Sequence, residues 1–231
     1  MTKPKVFIGV GHGGKDPGAV SGGLYESLIN LTVALACKDE LERCGIKVGI
    51  SRTINEDDKL LEEISEANAF KPDLAVEIHT NSGGGSGFEV YRQTSIAYGD
   101  QSLRLARALE TRVKAMGIHS RGVKTKLMSN GKDWFGWLRE VKAPAVLCEG
   151  FFIDNPTDQA TFDDVADQQQ LGIQYARGIM DYLGWPAIKP KDRIYRVQTG
   201  AFSSRANAEA YAASLREAGF PAIIKEEVTN K

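Results

Sequence analysis

Three shortages narrow the possibilities before any motif is considered. The 231-residue sequence contains only three cysteines and three histidines, and its 29 basic residues nearly balance 30 acidic ones. Three cysteines cannot all pair within one chain, and their apolar surroundings predict buried, reduced thiols rather than disulfides or a metal cluster. The formal net charge of −1 argues against a nucleic-acid-binding surface.

Long apolar runs are also lacking. No segment is long and apolar enough to span a bilayer, and the sequence shows no basic start followed by an apolar stretch and a small-residue cleavage site. We therefore expect no membrane insertion, and we expect synthesis in the cytoplasm without a signal peptide.

The apolar segments that do occur are short and alternate between strand and helix patterns. This alternation predicts an α/β fold with a mixed, mostly parallel sheet flanked by helices on both faces. Helices are predicted at 24–44, 57–70, 101–116 and 164–183, and strands at 6–10, 46–50, 73–80, 87–92 and 143–149. Residues 121–137 are rich in glycine, lysine and tryptophan and are predicted to form a surface loop.

Three of the predicted strands end at a residue that can bind metal or transfer protons. The first ends at His12 in a glycine-rich bend, the third at His79, and the last at Glu149. A single histidine in such a bend would most simply be a turn residue without a role. Parallel strands, however, bring their carboxyl ends to one edge of the sheet, so we expect these side chains to lie together.

A second carboxylate, Glu26, lies in the first turn of the predicted helix that follows His12. The helix dipole favours an acidic residue there, which is a structural explanation of its own. Together with His12 and His79 it also makes a set of two histidines and one carboxylate, which suits one zinc ion with a fourth position left open. Zinc lowers the pKa of bound water to about 7, and Glu149 would act as the general base.

Four sequence blocks carry a family resemblance. They are Gly11-His-Gly-Gly-Lys-Asp-Pro-Gly-Ala19, Leu24-Tyr-Glu-Ser-Leu-Ile-Asn-Leu31, Glu77-Ile-His-Thr-Asn81 with Gly87-Phe-Glu-Val-Tyr91, and Pro144-Ala-Val-Leu-Cys-Glu149 continuing to Asn155. In this order, across residues 6–183, they closely resemble the zinc-dependent N-acetylmuramoyl-L-alanine amidases of the amidase type 3 family. Many relatives carry Glu-x-Gly-Phe after the last strand, whereas the Glu149-Gly-Phe-Phe sequence here is similar to clostridial phage endolysins.

The resemblance implies a zinc ion held by His12, Glu26 and His79, with Glu149 as the catalytic residue. It also implies cleavage of the amide that joins the lactyl group of muramic acid to the L-alanine of the peptidoglycan stem, in phage-type or mother-cell lysis. Action on the cell wall would follow release or lysis. Asn81, Arg121 and Lys124 are the candidate substrate-binding residues, although a solvated basic loop explains the last two equally well.

The domain pattern predicts a catalytic domain at residues 1–184, a linker at 185–193 and a small α+β half-module at 194–231. The tail, beginning Tyr195-Arg-Val-Gln-Thr-Gly-Ala-Phe202, resembles the first half of a SPOR domain, a module that binds peptidoglycan strands. A unit of this size is too small to fold alone without a partner surface, so we expect either a homodimer through this segment or a tail with little binding of its own.

Two other functions fit parts of this pattern. A zinc peptidase or carboxypeptidase acting on wall stem peptides would use the same two-histidine, one-carboxylate set. A noncatalytic wall-binding protein would tolerate the loss of Glu149, although the presence of all four site residues argues against it. The products released from intact walls separate the two enzymes: free lactyl ends for the amidase and free stem amino acids for the peptidase.

Overall fold

The computed structural model describes residues 2–187 and 200–218, together with residues 222 and 224. The chain divides into two compact units, residues 1–188 and residues 189–231. In chain order, the elements of the first unit are β1 (Lys5–Val10), β2 (Val20–Ser21), β3 (Leu24–Tyr25), α1 (Glu26–Arg43), β4 (Lys47–Ile50), α2 (Leu60–Phe70), β5 (Leu74–Asn81), β6 (Phe88–Arg92), α3 (Gly99–Lys114), β7 (Ser120–Lys124), α4 (Gly136–Glu140), β8 (Ala145–Phe152), α5 (Pro156–Phe162) and α6 (Val165–Leu183).

The first unit is built on one six-stranded sheet with the order β4-β1-β5-β8-β6-β7, and β2 pairs separately with β3. Strands β4, β1, β5 and β8 run parallel to one another. Strand β6 is antiparallel to β8, and β7 is parallel to β6. The predicted mixed, mostly parallel sheet is therefore confirmed. Because β1, β5 and β8 are parallel neighbours, their carboxyl ends meet at one edge of the sheet.

Helices cover both faces of the sheet, because successive residues of a strand point to opposite sides. On one face, Val6 and Ile8 belong to a core cluster that α1, α3 and α6 complete. On the other face, Phe7 packs in a second cluster with Ile64 of α2 and Trp137 of α4. Both faces of β1 are therefore buried, which explains its uninterrupted apolar sequence.

A glycine sets the close approach of α1 to α6. A Cβ atom at Gly172 of α6 would lie 2.2 Å from the carbonyl oxygen of Val33 in α1, so any larger residue would push the two helices apart. Helix α1 begins at Glu26, and this contact therefore helps to fix the position of a candidate site residue.

The structure differs from the sequence prediction in several places, among them β8, which continues past Glu149 to Phe152, and α5, which was not predicted. Helix α1 begins two residues later than predicted because residues 24–25 pair with residues 20–21, and α2 begins at Leu60 rather than at residue 57. The segment 121–137, predicted as a loop, contains most of strand β7 and the start of helix α4. Strand β7 lies at the edge of the sheet, and its sequence lacks the apolar run that would have revealed it.

The described part of the second unit contains α7 (Arg205–Glu217), in agreement with the helix predicted from its apolar spacing. Ala212 is its buried residue, and Phe202 packs beside Tyr211 with ring centroids 5.4 Å apart. Residues 188–193 of the predicted linker, and residues 195–199 of the predicted strand, lie outside the described residues. Among the described residues, no helix combines the length and apolarity needed to cross a membrane.

All three cysteines are free and buried, as the sequence predicts. Burial raises the pKa of Cys37 and of Cys148, and it keeps both thiols protonated. Cys148 points into the core from β8, next in the chain to Glu149, and packing is its evident role.

The loop after β4 contributes a buried cation, Arg52, which is 2% exposed. Its guanidinium donates to the carbonyl oxygens of Val10 (3.2 Å), Gly11 (3.3 Å), Ser27 (2.7 Å) and Ile54 (3.3 Å). Burial lowers the pKa of this guanidinium. Arg52 thus ties the end of β1 to the start of α1.

We expect Arg52→Met to lower the free energy of unfolding by about 3 kcal/mol, because it leaves buried carbonyl oxygens without donors. Urea denaturation measures the change. The exposed Arg107 of α3 provides the matched control, and Arg107→Met should change the stability by less than about 0.5 kcal/mol. An equal effect of the two substitutions would contradict the structural role given to Arg52.

Candidate active site

His12 follows β1 in a backbone conformation that is uncommon for a residue with a side chain. Its φ of 63° lies in the left-handed region. The ring is fixed by Asp16, whose Oδ2 lies 2.8 Å from Nδ1, and this leaves Nε2 facing Glu26 Oε1 at 3.3 Å. Arg52 holds the carbonyls of the two preceding residues. The bend therefore aims the imidazole of His12 at Glu26.

Glu26 is the centre of the cluster and is 4% exposed. Its Oε1 lies 3.0 Å from His79 Nδ1 and accepts a hydrogen bond from the backbone N–H of Thr80 at 3.1 Å. Its Oε2 accepts from the backbone N–H of Ala19 at 2.9 Å. A Cβ at Gly18 would lie 2.7 Å from Oε2, so the loop can come this close to the carboxylate only with glycine at that position.

The three groups shift one another's pKa values. Burial alone would raise the pKa of Glu26, but the hydrogen bonds with His12 and His79 outweigh burial and hold it well below its usual range. Burial alone would lower the pKa of His79, yet the hydrogen bonds with Glu26 and Glu77 raise it well above 6.5. The hydrogen bond with Glu26 also raises the pKa of His12. The ionised carboxylate of Glu26 therefore favours a positive charge on the groups around it.

This donor set fits a zinc ion. One ligand atom from each of His12, Glu26 and His79 can be chosen so that all three lie within 4.8 Å of one another. Two imidazole nitrogens and one carboxylate oxygen are typical of catalytic zinc sites, in which a further position stays open. Among the described residues, this is the group of histidine, cysteine and acidic side chains that could hold a metal ion.

Glu149 lies beside the cluster on the neighbouring strand. In the register of β5 and β8, Glu149 is the partner of His79, and on its other side it faces Glu89 of β6. Burial raises the pKa of Glu149 to about 7. A carboxylate with such a pKa can accept and return a proton near neutral pH.

The cluster and Glu149 line a single cavity of about 400 Å³ at the carboxyl edge of the sheet. Its walls also include Leu60 at the start of α2, and Phe135 and Trp137 around the start of α4. Trp137 is 1% exposed and belongs to the core, whereas Trp134 is 53% exposed. The cavity therefore combines an apolar wall with convergent polar groups, as ligand sites do.

Asn81, Arg121 and Lys124, predicted from the sequence as substrate-binding residues, are brought together by Glu89. Arg121 Nε and Lys124 Nζ both donate to Glu89 Oε1, and Asn81 Nδ2 donates to Oε2 at 3.3 Å. Burial would raise the pKa of Glu89, but the two cations hold it below the usual range. These residues form one charged group next to Glu149.

Two buried acidic residues of the cavity, Glu63 and Glu77, were not predicted from the sequence. Glu63 of α2 is buried, and its Oε1 accepts from the backbone N–H of Val10 at 2.9 Å. Glu77 of β5 is also buried and contacts His79. For Glu77, the sequence did hold a signal: it is the only acidic residue within the apolar strand β5, and it lies two positions before His79.

An α/β sheet with a raised-pKa carboxylate at its carboxyl edge, beside a His-Glu-His set that could hold a metal ion, is typical of hydrolases. Comparison with known proteins gives the family. Residues 6–181 match the family described as N-acetylmuramoyl-L-alanine amidase, and residues 191–231 match the SPOR domain. The chain belongs to the N-acetylmuramoyl-L-alanine amidase family.

Individual relatives agree with this assignment. The chain is 34% identical over 222 residues to the N-acetylmuramoyl-L-alanine amidase CwlM of Bacillus licheniformis, covering 95% of this chain and 84% of that protein. It is 34% identical over 200 residues to the endolysin of Bacillus phage SPP1, covering 81% and 71% of the two chains. Among solved structures, the catalytic domain of the amidase CwlV from Bacillus (Paenibacillus) polymyxa var. colistinus matches with a TM-score of 0.70 and 30% identity, over 79% of this chain and 99% of that one.

The depressed pKa of Glu26 predicts a pH effect on the metal-free protein. A carboxyl whose pKa is lowered by folding adds stability that is fully present above its ordinary pKa of 4.5 and is lost as the pH falls through the folded value. Both histidines stay charged in this window because their pKa values are raised. The stability difference between wild type and Glu26→Gln, measured by urea unfolding in chelator, should therefore shrink between about pH 6 and about pH 3.

The exposed Glu62 of α2 serves as the control for this titration. Glu62→Gln should differ little from wild type at either pH. A difference for Glu26→Gln that stays constant from neutral to acid pH would show that its carboxylate is not ionised in the folded, metal-free protein.

Proposed function

We propose that this chain hydrolyses the amide bond between the lactyl group of N-acetylmuramic acid and the L-alanine of the stem peptide. In this proposal one zinc ion is held by His12, Glu26 and His79, and Glu149 is the general base. The observation that carries it is the placement of Glu149 directly beside His79 in the strand register, within the same cavity and with a pKa near neutrality.

The chain's own residues account for the proton transfers. Bound zinc would polarise the scissile carbonyl and make an attacking water more acidic. Glu149 takes one proton from this water as the water oxygen attacks the carbonyl carbon. It then returns the proton to the alanine nitrogen as the carbon–nitrogen bond breaks. The products are a free lactyl carboxylate and a free amino terminus on L-alanine.

Arg121 and Lys124 are proposed to contact the anionic stem peptide, with Asn81 beside them. Their support is their position around Glu89, next to the base, with the Arg121 and Lys124 side chains 39% and 31% exposed. Each can therefore bond Glu89 and still present donors to a ligand. The guanidinium also lies 5.2 Å from the centre of the Phe152 ring, which limits its freedom.

Two matches support a role at the cell wall. The SPOR match of residues 191–231 supports peptidoglycan as the partner, and the endolysin relative supports lysis as the setting. A homodimer formed through this C-terminal segment stays a prediction.

On purified cell walls, we expect clearing to require both metal and Glu149. Glu149→Gln should lower the rate by about 10²- to 10⁴-fold, because it removes the proton acceptor with little change of shape. Chelation should abolish clearing, and added zinc should restore it. Turbidity follows the rate, and end-group analysis should show new L-alanine amino termini and free lactyl groups.

The exposed Glu140 provides a matched control, since Glu140→Gln should clear walls at the wild-type rate. Release of free stem amino acids instead of lactyl ends would support the peptidase alternative. Clearing that survives Glu149→Gln would contradict the assignment of the base.

We expect Arg121→Gln to weaken substrate binding through charge. The KM should rise about tenfold for a soluble muramyl peptide whose stem carboxylates are free, and much less for the same compound with those carboxylates amidated. Steady-state kinetics on the two compounds measures the difference. An equal rise on both would mean that Arg121 acts only through Glu89 and does not contact the stem.

A further inference from the structure

A buried carboxylate stands behind His79, on the side of the ring away from the metal cluster. Glu77 Oε1 lies 3.2 Å from His79 Nε2, and Glu77 is 3% exposed. The two residues are two apart on β5, so their side chains project from the same face of the strand. The contact is therefore built into the strand.

This contact determines which nitrogen of His79 is free to bind a metal. A carboxylate only accepts hydrogen bonds, so Glu77 holds a proton on Nε2, and Glu26 holds one on Nδ1 while the ring is charged and no metal is bound. A metal ion held by Glu26 would displace the proton on Nδ1, which faces Glu26 Oε1 at 3.0 Å, and the neutral ring would then keep its one proton on Nε2, beside Glu77. Glu77 thus selects the tautomer that presents Nδ1 to the centre of the cluster.

His12 has a similar partner in a different environment. Its Nδ1 is held by Asp16, so that Nε2 faces the cluster. The Asp16 side chain is 67% exposed, however, whereas that of Glu77 is 5% exposed. Water and salt weaken the Asp16 contact much more than the Glu77 contact. The chain therefore offers a buried and an exposed version of the same interaction.

The stability of the fold alone does not explain why residue 77 is a carboxylate. Its second oxygen, Oε2, is buried and has no hydrogen-bond partner among the described residues. A second buried carboxyl lies nearby: burial raises the pKa of Glu63, and the charge of Glu77 raises it further. A buried carboxylate oxygen without a partner, close to another acid, costs folding free energy.

We propose that Glu77 is a positioning residue that fixes the His79 tautomer and strengthens metal binding by the His12, Glu26 and His79 set. The proposal rests on the zinc site of the proposed function. Carboxylates that hold the far nitrogen of a metal-binding histidine raise the basicity of the ring and fix its orientation. Their removal typically costs 10- to 100-fold in metal affinity.

The test compares zinc affinity in the full chain with two isosteric variants. Competition with a chromophoric chelator gives the dissociation constant without any measurement of activity. Glu77→Gln should weaken zinc binding by about 10- to 100-fold, and Asp16→Asn by about threefold or less. Without zinc, the free energy of unfolding of Glu77→Gln should stay close to that of wild type, because the lost contact with charged His79 and the relief of the unpartnered Oε2 oppose each other.

Nitrogen NMR of the zinc-loaded protein provides a second readout. The His79 ring should show a protonated Nε2 in wild type, and this signal should exchange faster with water in Glu77→Gln. Should Glu77→Gln fail to fold, Glu77→Asp retains the charge but is shorter, and it should bind zinc more weakly than wild type. Wild-type zinc affinity in the folded variant would overturn the proposal. Absence of zinc binding by the wild-type chain would instead overturn the proposed metal site and, with it, the role of Glu77.

Discussion

The site depends on one buried carboxylate that several separate segments must satisfy. Glu26 opens α1 and accepts hydrogen bonds from backbone amides of the loop after His12 and of the end of β5. It also contacts the ring nitrogens of His12 and His79. A buried carboxylate without such partners would be costly, so its ionised state requires β1, α1 and β5 to be in their native places. Assembly of the cluster therefore requires all three elements.

The sequence revealed the parts of the site that follow from strand ends. His12, His79 and Glu149 each terminate an apolar run, and parallel pairing then brings them to one edge. The reversal of β6 and β7 could not be predicted, because strand composition does not specify direction. Glu77 was also missed, because its role depends on a contact within a strand that otherwise reads as buried.

The electrostatic setting of Glu149 comes from both neighbouring strands. His79 lies on one side and favours the ionised form of Glu149, whereas Glu89 lies on the other side and disfavours that form. Arg121 and Lys124 largely neutralise Glu89, which limits this opposition. The antiparallel strand β6 therefore does more than extend the sheet: it places a compensated charge next to the proposed base. A purely parallel arrangement would put different residues at that position.

The three buried thiols have a consequence for where the molecule can work. Each of the cysteines is packed in the core, and the thiols of Cys37 and Cys148 are held in the protonated form, which neither attacks disulfides nor reacts readily with oxidants. The folded first unit therefore requires neither a reducing nor an oxidising environment. A change of compartment, and with it of redox potential, would therefore not act on the fold through these thiols.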